Sequence, residues 1–176
     1  MNKPYKPLYT PEQRKRRDLS AWTWIQGVLA PIQFLVFLVS ATLVIRYLVT
    51  GEDYQLATIS ILIKTFFLLL IMLTGCIWEK VVFGKYLFAD AFFWEDVVSM
   101  GVIFLHLAYV YALLQDALNP QSLMVLALVA YAMYFINAAQ FLLKLRAARK
   151  DHARQAVNFQ EQVISNQSSF QERLVS

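Results

Sequence analysis

GCIWEKVVFGKYLFADAFFWEDVVSM, residues 75–100, joins two strongly apolar stretches and sets Glu79, Glu95 and Asp96 at their inner ends. A carboxylate at the centre of a membrane helix costs about 2.5 to 3.5 kcal/mol on insertion scales, so it is kept where it faces a bundle interior or a polar cavity. Trp78, Phe83, Tyr86, Phe88, Phe92, Phe93 and Trp94 crowd the same stretch. Carboxyl groups beside aromatic walls, at the level of lipid headgroups, suit a flat and apolar ligand.

Outward from this junction the chain is built of long apolar runs. Of 176 residues, 59% are hydrophobic and 16% charged, and the mean hydropathy is +0.48. That is too apolar for a soluble domain of this size, so the fold class is an all-α polytopic membrane protein. About 20 apolar residues cross a hydrocarbon core of about 30 Å, and four runs qualify, near 24–49, 56–78, 92–115 and 122–144. The basic run Arg14 to Arg17 ahead of the first is no cleavable signal, because three more spans follow it. Short connections make neighbours antiparallel and predict an up-down four-helix bundle over residues 21–150. A Pro- and Arg-rich arm, residues 1–20, is expected to be irregular up to a helix start near Ser20. A polar tail, residues 151–176, continues the last helix and then frays.

Charge orients the bundle. Arg14 to Arg17, the 79–91 connection with Lys80 and Lys85, and the tail with Lys144, Arg146, Arg149, Lys150 and Arg154 are basic; the loops Thr50–Gln55 and Asp116–Gln121 hold no Lys or Arg. The positive-inside rule then predicts both termini and the 79–91 loop on the cytoplasmic side. Arg46, near the outer end of the first span, is a mild exception. The net charge of +4 is accounted for by topology without nucleic acid. A single cysteine, Cys76, leaves no disulfide framework, CxxC redox centre or cysteine zinc site within one chain.

Helical spacing gives each span a polar stripe: Gln26, Gln33 and Ser40; Lys64, Leu68, Ile71, Gly75 and Trp78, with Glu79 about 60° away from Lys64; Glu95, Ser99, Val102 and His106; and Asn137, Gln140 and Lys144. The stripes face a common interior, polar in its cytoplasmic half. Gln26, Gln33 and Gln140 read first as interhelical hydrogen-bonders, Lys64 as a side chain that snorkels outward, and His106 as a satisfied imidazole or a ligand. Glu79 and Asp96 have Lys80 and Lys85 as candidate ion-pair partners. Glu95 is the acid hardest to dismiss, since like-charge repulsion from its neighbour Asp96 favours a shared proton.

The strings PLYTPEQRKRR, WTWIQGVLAPIQFLVFLVS, WEKVVFGKYLFADAFFWEDVVSM and NAAQFLLKLRAAR resemble the 3-vinyl bacteriochlorophyllide hydratase family of bacteriochlorophyll biosynthesis, over roughly residues 7–149. The resemblance implies a hydro-lyase with no cofactor of its own, which adds water across the C3 vinyl group of chlorophyllide or the corresponding bacteriochlorophyllide. It implies a bacterial inner or intracytoplasmic membrane, with lipid and pigment as partners; a homo-oligomer and contact with other pigment-pathway enzymes stay open. Hydration needs an acid to protonate the terminal carbon and a base to position water, roles expected of Glu95, Asp96 and Glu79. Trp78, Phe93, Trp94, Gln33, Asn137 and Gln140 are expected to line the pigment site. His106 or a water is a possible axial ligand to the substrate's magnesium, and Lys80, Lys85 or Lys144 would meet its propionate. A pigment carrier or photosynthetic assembly subunit, with the same pocket and no chemistry, is the competing class.

Overall fold

Thr10 and Gln13 satisfy each other: Gln13 N donates to Thr10 Oγ1 at 3.2 Å and Thr10 N donates to Gln13 Oε1 at 2.9 Å. This capping box, with Pro11 at the first helical position, nucleates α1, Pro11–Leu19. The expectation of an irregular arm up to Ser20 is therefore corrected, because a local cap outweighs the Pro- and Arg-rich composition. Ser20 then caps the next helix, accepting from Trp22 N at 3.2 Å. The computed structural model describes residues 8–175, with side chains through Asp151 and at intervals beyond. Residues 1–7 of the expected arm, and Ser176, lie outside the described residues.

α2 (Ala21–Thr50), α3 (Tyr54–Phe83), α4 (Phe93–Leu114) and α5 (Pro120–Val175) follow. Four segments, Ala21–Thr50, Tyr54–Phe83, Phe93–Leu114 and Pro120–Asp151, are long and apolar enough to cross a membrane, and among the described residues every regular element is a helix. At 1.5 Å per residue α2 and α3 are each about 45 Å long, more than a hydrocarbon core requires. α3 runs five residues beyond the expected end at 78, so Glu79 belongs to a helix and not to the connection. Gly51 and Gly84 close α2 and α3 at φ of 76° and 83°, donating to the carbonyls of Tyr47 and Lys80, a left-handed stop that glycine adopts without steric cost. Arg46 is explained at the same end: its guanidinium meets Asp53 at 2.8 Å.

α2 packs along α3 and α4 along α5, with α2 against α5 and α3 against α4 closing the bundle, while α1 lies on α3. The polarity is that of a membrane protein. Phe66 and Phe104 are 62% and 70% exposed, whereas Gln33, Ser40, Lys64, Thr65, Glu79, Glu95, Asp96, Ser99, His106 and Asn137 are buried. In lipid an apolar exterior costs nothing, and interior polar groups hold helices together. Lys64, expected to reach outward, is wholly buried, because its amine turns into the bundle over the Tyr134 ring of α5.

Candidate functional site

Neighbours on a helix point about 100° apart, and the two adjacent acids of α4 are divided by that angle. Glu95 turns to α5, where Lys144 Nζ lies 3.0 Å from Oε1 and 3.2 Å from Oε2. Asp96 turns to α3 and stands beside Glu79, close enough for the two carboxyl groups to be electrostatically coupled. Two buried carboxyl groups side by side repel each other when both are ionised, so a Glu79–Asp96 dyad is suited to sharing one proton. Glu95 and Asp96 still feel each other's charge, as their adjacency predicts, but the nearer partners are Glu79 for Asp96 and Lys144 for Glu95. Neither Glu79 nor Asp96 forms a close ion pair with Lys80 or Lys85, although the Lys85 charge acts on Glu79 from a distance. Lys80 donates to the Gly84 carbonyl at 2.9 Å, and Lys85 meets Asp90 at 3.3 Å.

The connection between α3 and α4 supplies the dyad's remaining partners. Ala89 N donates to Glu79 Oε1 at 3.0 Å and Phe88 N donates to Asp96 Oδ2 at 2.7 Å. Phe88 is held at φ 57° to do so, a left-handed conformation that costs a bulky residue roughly 1 to 3 kcal/mol and is retained where the surroundings enforce it. The dyad is therefore fixed from both helices and from the loop between them.

Aromatic rings wall this end. Phe92 packs against Trp78 at 5.7 Å, Phe83 at 5.8 Å, Tyr9 at 6.4 Å and Phe141 at 6.0 Å, and the Lys144 amine lies 5.6 Å from its ring centre. Trp78 is tethered by its indole N–H to Thr23 Oγ1 at 3.0 Å. Phe93 and Trp94, expected in this wall, face outward instead, Trp94 being 69% exposed. Trp94 stands on the side of α4 opposite Asp96. Tyr9 and Phe141 were invisible to a reading centred on residues 75–100, since both arrive from distant parts of the chain.

Deeper in the bundle several buried polar atoms have no partner: Gln33 Oε1, Asn137 Oδ1, Gln140 Oε1, His106 Nε2 and Lys64 Nζ. Their orientations are set nonetheless. Asn137 Nδ2 donates to Ser99 Oγ at 2.8 Å, and Ser99 Oγ donates to the Glu95 carbonyl at 2.8 Å. His106 Nδ1 lies 2.8 Å from the Val102 carbonyl, which makes it the protonated nitrogen and leaves Nε2 as a free lone pair. Gln26, by contrast, is satisfied by Thr74 Oγ1 at 2.7 Å and is interhelical glue, as its spacing suggested. Buried polar groups are nearly always hydrogen-bonded, so this run of unpartnered atoms has hydrogen-bonding capacity free for a polar-edged ligand.

The family described as 2-vinyl bacteriochlorophyllide hydratase matches residues 9–147. A curated relative of that name from Cereibacter sphaeroides is 64% identical over 149 residues, covering 84% of this chain and 92% of the relative. Its namesake from Rhodobacter capsulatus is 62% identical over 149 residues, covering 84% and 86%. No solved structure gives a significant match.

Proposed function

The chain belongs to the 2-vinyl bacteriochlorophyllide hydratase family, and we propose that the carboxylates joining the inner ends of α3 and α4 carry that family's reaction. It is a hydratase of bacteriochlorophyll biosynthesis, acting on the vinyl group of a bacteriochlorophyllide. The vinyl substituent counted as position 2 in the family's name is the C3 vinyl of the resemblance noted above, in a different ring numbering.

The observation that carries the mechanism is the Glu79–Asp96 dyad, held by the Ala89 and Phe88 backbone N–H groups, beside the ion-paired Glu95. The dyad's proton goes to the terminal vinyl carbon, which becomes a methyl group. The positive charge that develops on the inner carbon is spread into the macrocycle. Water adds there and loses a proton to a carboxylate, leaving a 1-hydroxyethyl substituent and the dyad ready to recover its proton. Glu95, ion-paired with Lys144, is the base for that water, so carboxylates with different partners take opposite roles. No cofactor of the protein's own enters these steps.

The unpartnered atoms support a position for the rest of the pigment. With the vinyl edge at the dyad, the ring extends along Gln140, Asn137 and Gln33 between Trp78 and the bundle interior. Its magnesium lies at an intermediate depth. Asn137 meets α4 at Ser99, three residues or about 4.5 Å of helix axis from Asp96, whereas His106 is ten residues from Asp96, about 15 Å. Asn137 is thus favoured over His106 as the axial partner, in keeping with the preference of magnesium for oxygen. The Lys and Arg asymmetry supports an orientation with both termini and the dyad on the cytoplasmic side of a bacterial inner membrane.

Incubating the detergent-purified chain with vinyl bacteriochlorophyllide, without added cofactor, should yield a pigment heavier by one water. Pigment that binds tightly and is recovered unchanged would favour the carrier reading instead.

A further inference from the structure

Two contacts fix α5 against the inner half of α4. Lys144 Nζ meets the Glu95 carboxylate at 3.0 and 3.2 Å, and Asn137 Nδ2 donates to Ser99 Oγ at 2.8 Å. The two helices run antiparallel, so the stretch of α5 from 137 to 144 faces the turn of α4 from 99 to 95. Gln140 lies in that stretch, three residues from Asn137 and four from Lys144 and on the same side of the helix. It is about 4.5 Å of helix axis from the first and about 6 Å from the second. Its Oε1 is buried without a hydrogen-bond partner. Gln140 as a whole is half-buried, as is Lys144, so this place borders the surface of the bundle and is not sealed in its core. A carboxylate offers about four acceptor sites, and the Lys144 amine does not exhaust those of Glu95.

We propose that Gln140 and Glu95 together hold the attacking water, Gln140 Oε1 accepting from the O–H that survives and Glu95 from the O–H that breaks. This rests on the hydration reading for the reaction itself. A water whose two O–H bonds are both taken by fixed acceptors has its lone pairs aimed away from them, toward the inner vinyl carbon, and such positioning is a large part of what an enzyme adds to a reaction with water. The water oxygen forms the bond to that carbon, one proton passes to Glu95, and the other hydrogen stays on the new hydroxyl against Gln140. The dyad's proton has already gone to the terminal carbon, and Glu95 returns its own through solvent, so one water is added and nothing is oxidised or reduced. Acid then arrives from the α3 side of Asp96 and water from the α5 side of Glu95, the two directions that adjacent helical residues give. Asn137 Oδ1 remains for the magnesium, and the ring passes beside the stem of Gln140.

The cation formed on protonation has two exits, and the test reads how it divides between them. It captures water to give the hydroxyethyl pigment, or its new methyl group rotates and gives a proton back, which in heavy water leaves deuterium on the terminal carbon of recovered vinyl pigment. Both products are measured by mass spectrometry and NMR after incubating the full chain in detergent with vinyl bacteriochlorophyllide in heavy water, for wild type, Gln140→Met and Gln140→Asn. Gln140→Met should raise the ratio of deuterated vinyl to hydroxyethyl pigment about tenfold, the rate equivalent of one ordinary hydrogen bond. Gln140→Asn, with its carbonyl drawn back by one carbon, should raise it as well. The ratio is internal to each turnover, so a partly unfolded sample does not change it; if Gln140→Met does not fold, Gln140→Asn decides. A structural role alone would slow both exits together, and a ratio unchanged from wild type overturns the assignment while hydration stands. A wild type that forms neither hydroxyethyl nor deuterated vinyl pigment sinks the hydration reading and the assignment with it.

Discussion

Glu79→Gln removes one carboxyl from the dyad and leaves its shape. The glutamine carbonyl can accept from Ala89 N, as Glu79 Oε1 does at 3.0 Å, and its amide can donate to Asp96 in place of the shared proton. Both helices and the loop therefore keep their contacts, and the stability change should stay within about 1 kcal/mol, the net worth of an ordinary hydrogen bond. The chemistry should not survive. A positioned general acid contributes about 10² to 10⁴ in rate, equal to about 3 to 5 kcal/mol of barrier at 1.36 kcal/mol per decade. The amide has no proton it can give up to carbon. Single-turnover formation of the hydroxyethyl pigment by the purified variant should fall by that factor, with pigment affinity and thermal midpoint close to wild type. Turnover within a few-fold of wild type at normal affinity would refute the dyad as the acid. A collapse of the thermal midpoint with activity lost in proportion would make Glu79 a structural group that holds the loop.

Three further outcomes follow from other parts of the structure. Lys144→Met strips Glu95 of its cation in a mostly buried setting, so it should lower turnover and destabilise the fold by roughly 3 kcal/mol; a thermal midpoint unchanged by the substitution would show that the pair is solvated in the membrane. Gly101→Ala would set a methyl group 2.4 Å from Met133 Cε, but the obstacle is the end of a flexible side chain. The loss in a thermal melt should therefore be no more than about 1 to 2 kcal/mol, and Gly101→Leu should cost distinctly more. Reporter fusions at Gly51 and Asn119 should read as periplasmic and one at Gly84 as cytoplasmic, a periplasmic signal at Gly84 being enough to reverse the orientation.

Much of the fold is legible in the sequence because a bilayer imposes its own lengths. The four spans show as apolar runs, and their ends at Ser20, Gly51, Gly84 and Asn119 carry local capping chemistry. Asn119, for instance, accepts from Ser122 N at 2.8 Å. α1 was equally local, written in Thr10, Pro11 and Gln13, yet hidden by its charged composition. The site was legible as a set of residue types and not as a set of partners. Spacing put Glu95, Ser99, Val102 and His106 on one buried face, and all four are buried. Whether Asp96 pairs with Glu95 or with Glu79, however, depends on how α3 and α4 are rotated and on a loop that bends Phe88 to φ 57°. The same rotation decides that Lys64 points inward and Trp94 outward. Tyr9 and Phe141 join the aromatic wall only once α1 and α5 have packed. No periodicity within one helix records those contacts.

The most direct measurement is isotopic. The purified chain is given vinyl bacteriochlorophyllide in ¹⁸O-labelled heavy water, and the product is read by mass spectrometry and NMR. Acid-first hydration through the Glu79–Asp96 dyad should place one solvent deuterium on the terminal carbon, as a singly labelled methyl group, and one ¹⁸O on the inner carbon. Oxygen that does not come from solvent, deuterium on the inner carbon, or pigment recovered bound and unlabelled would contradict it.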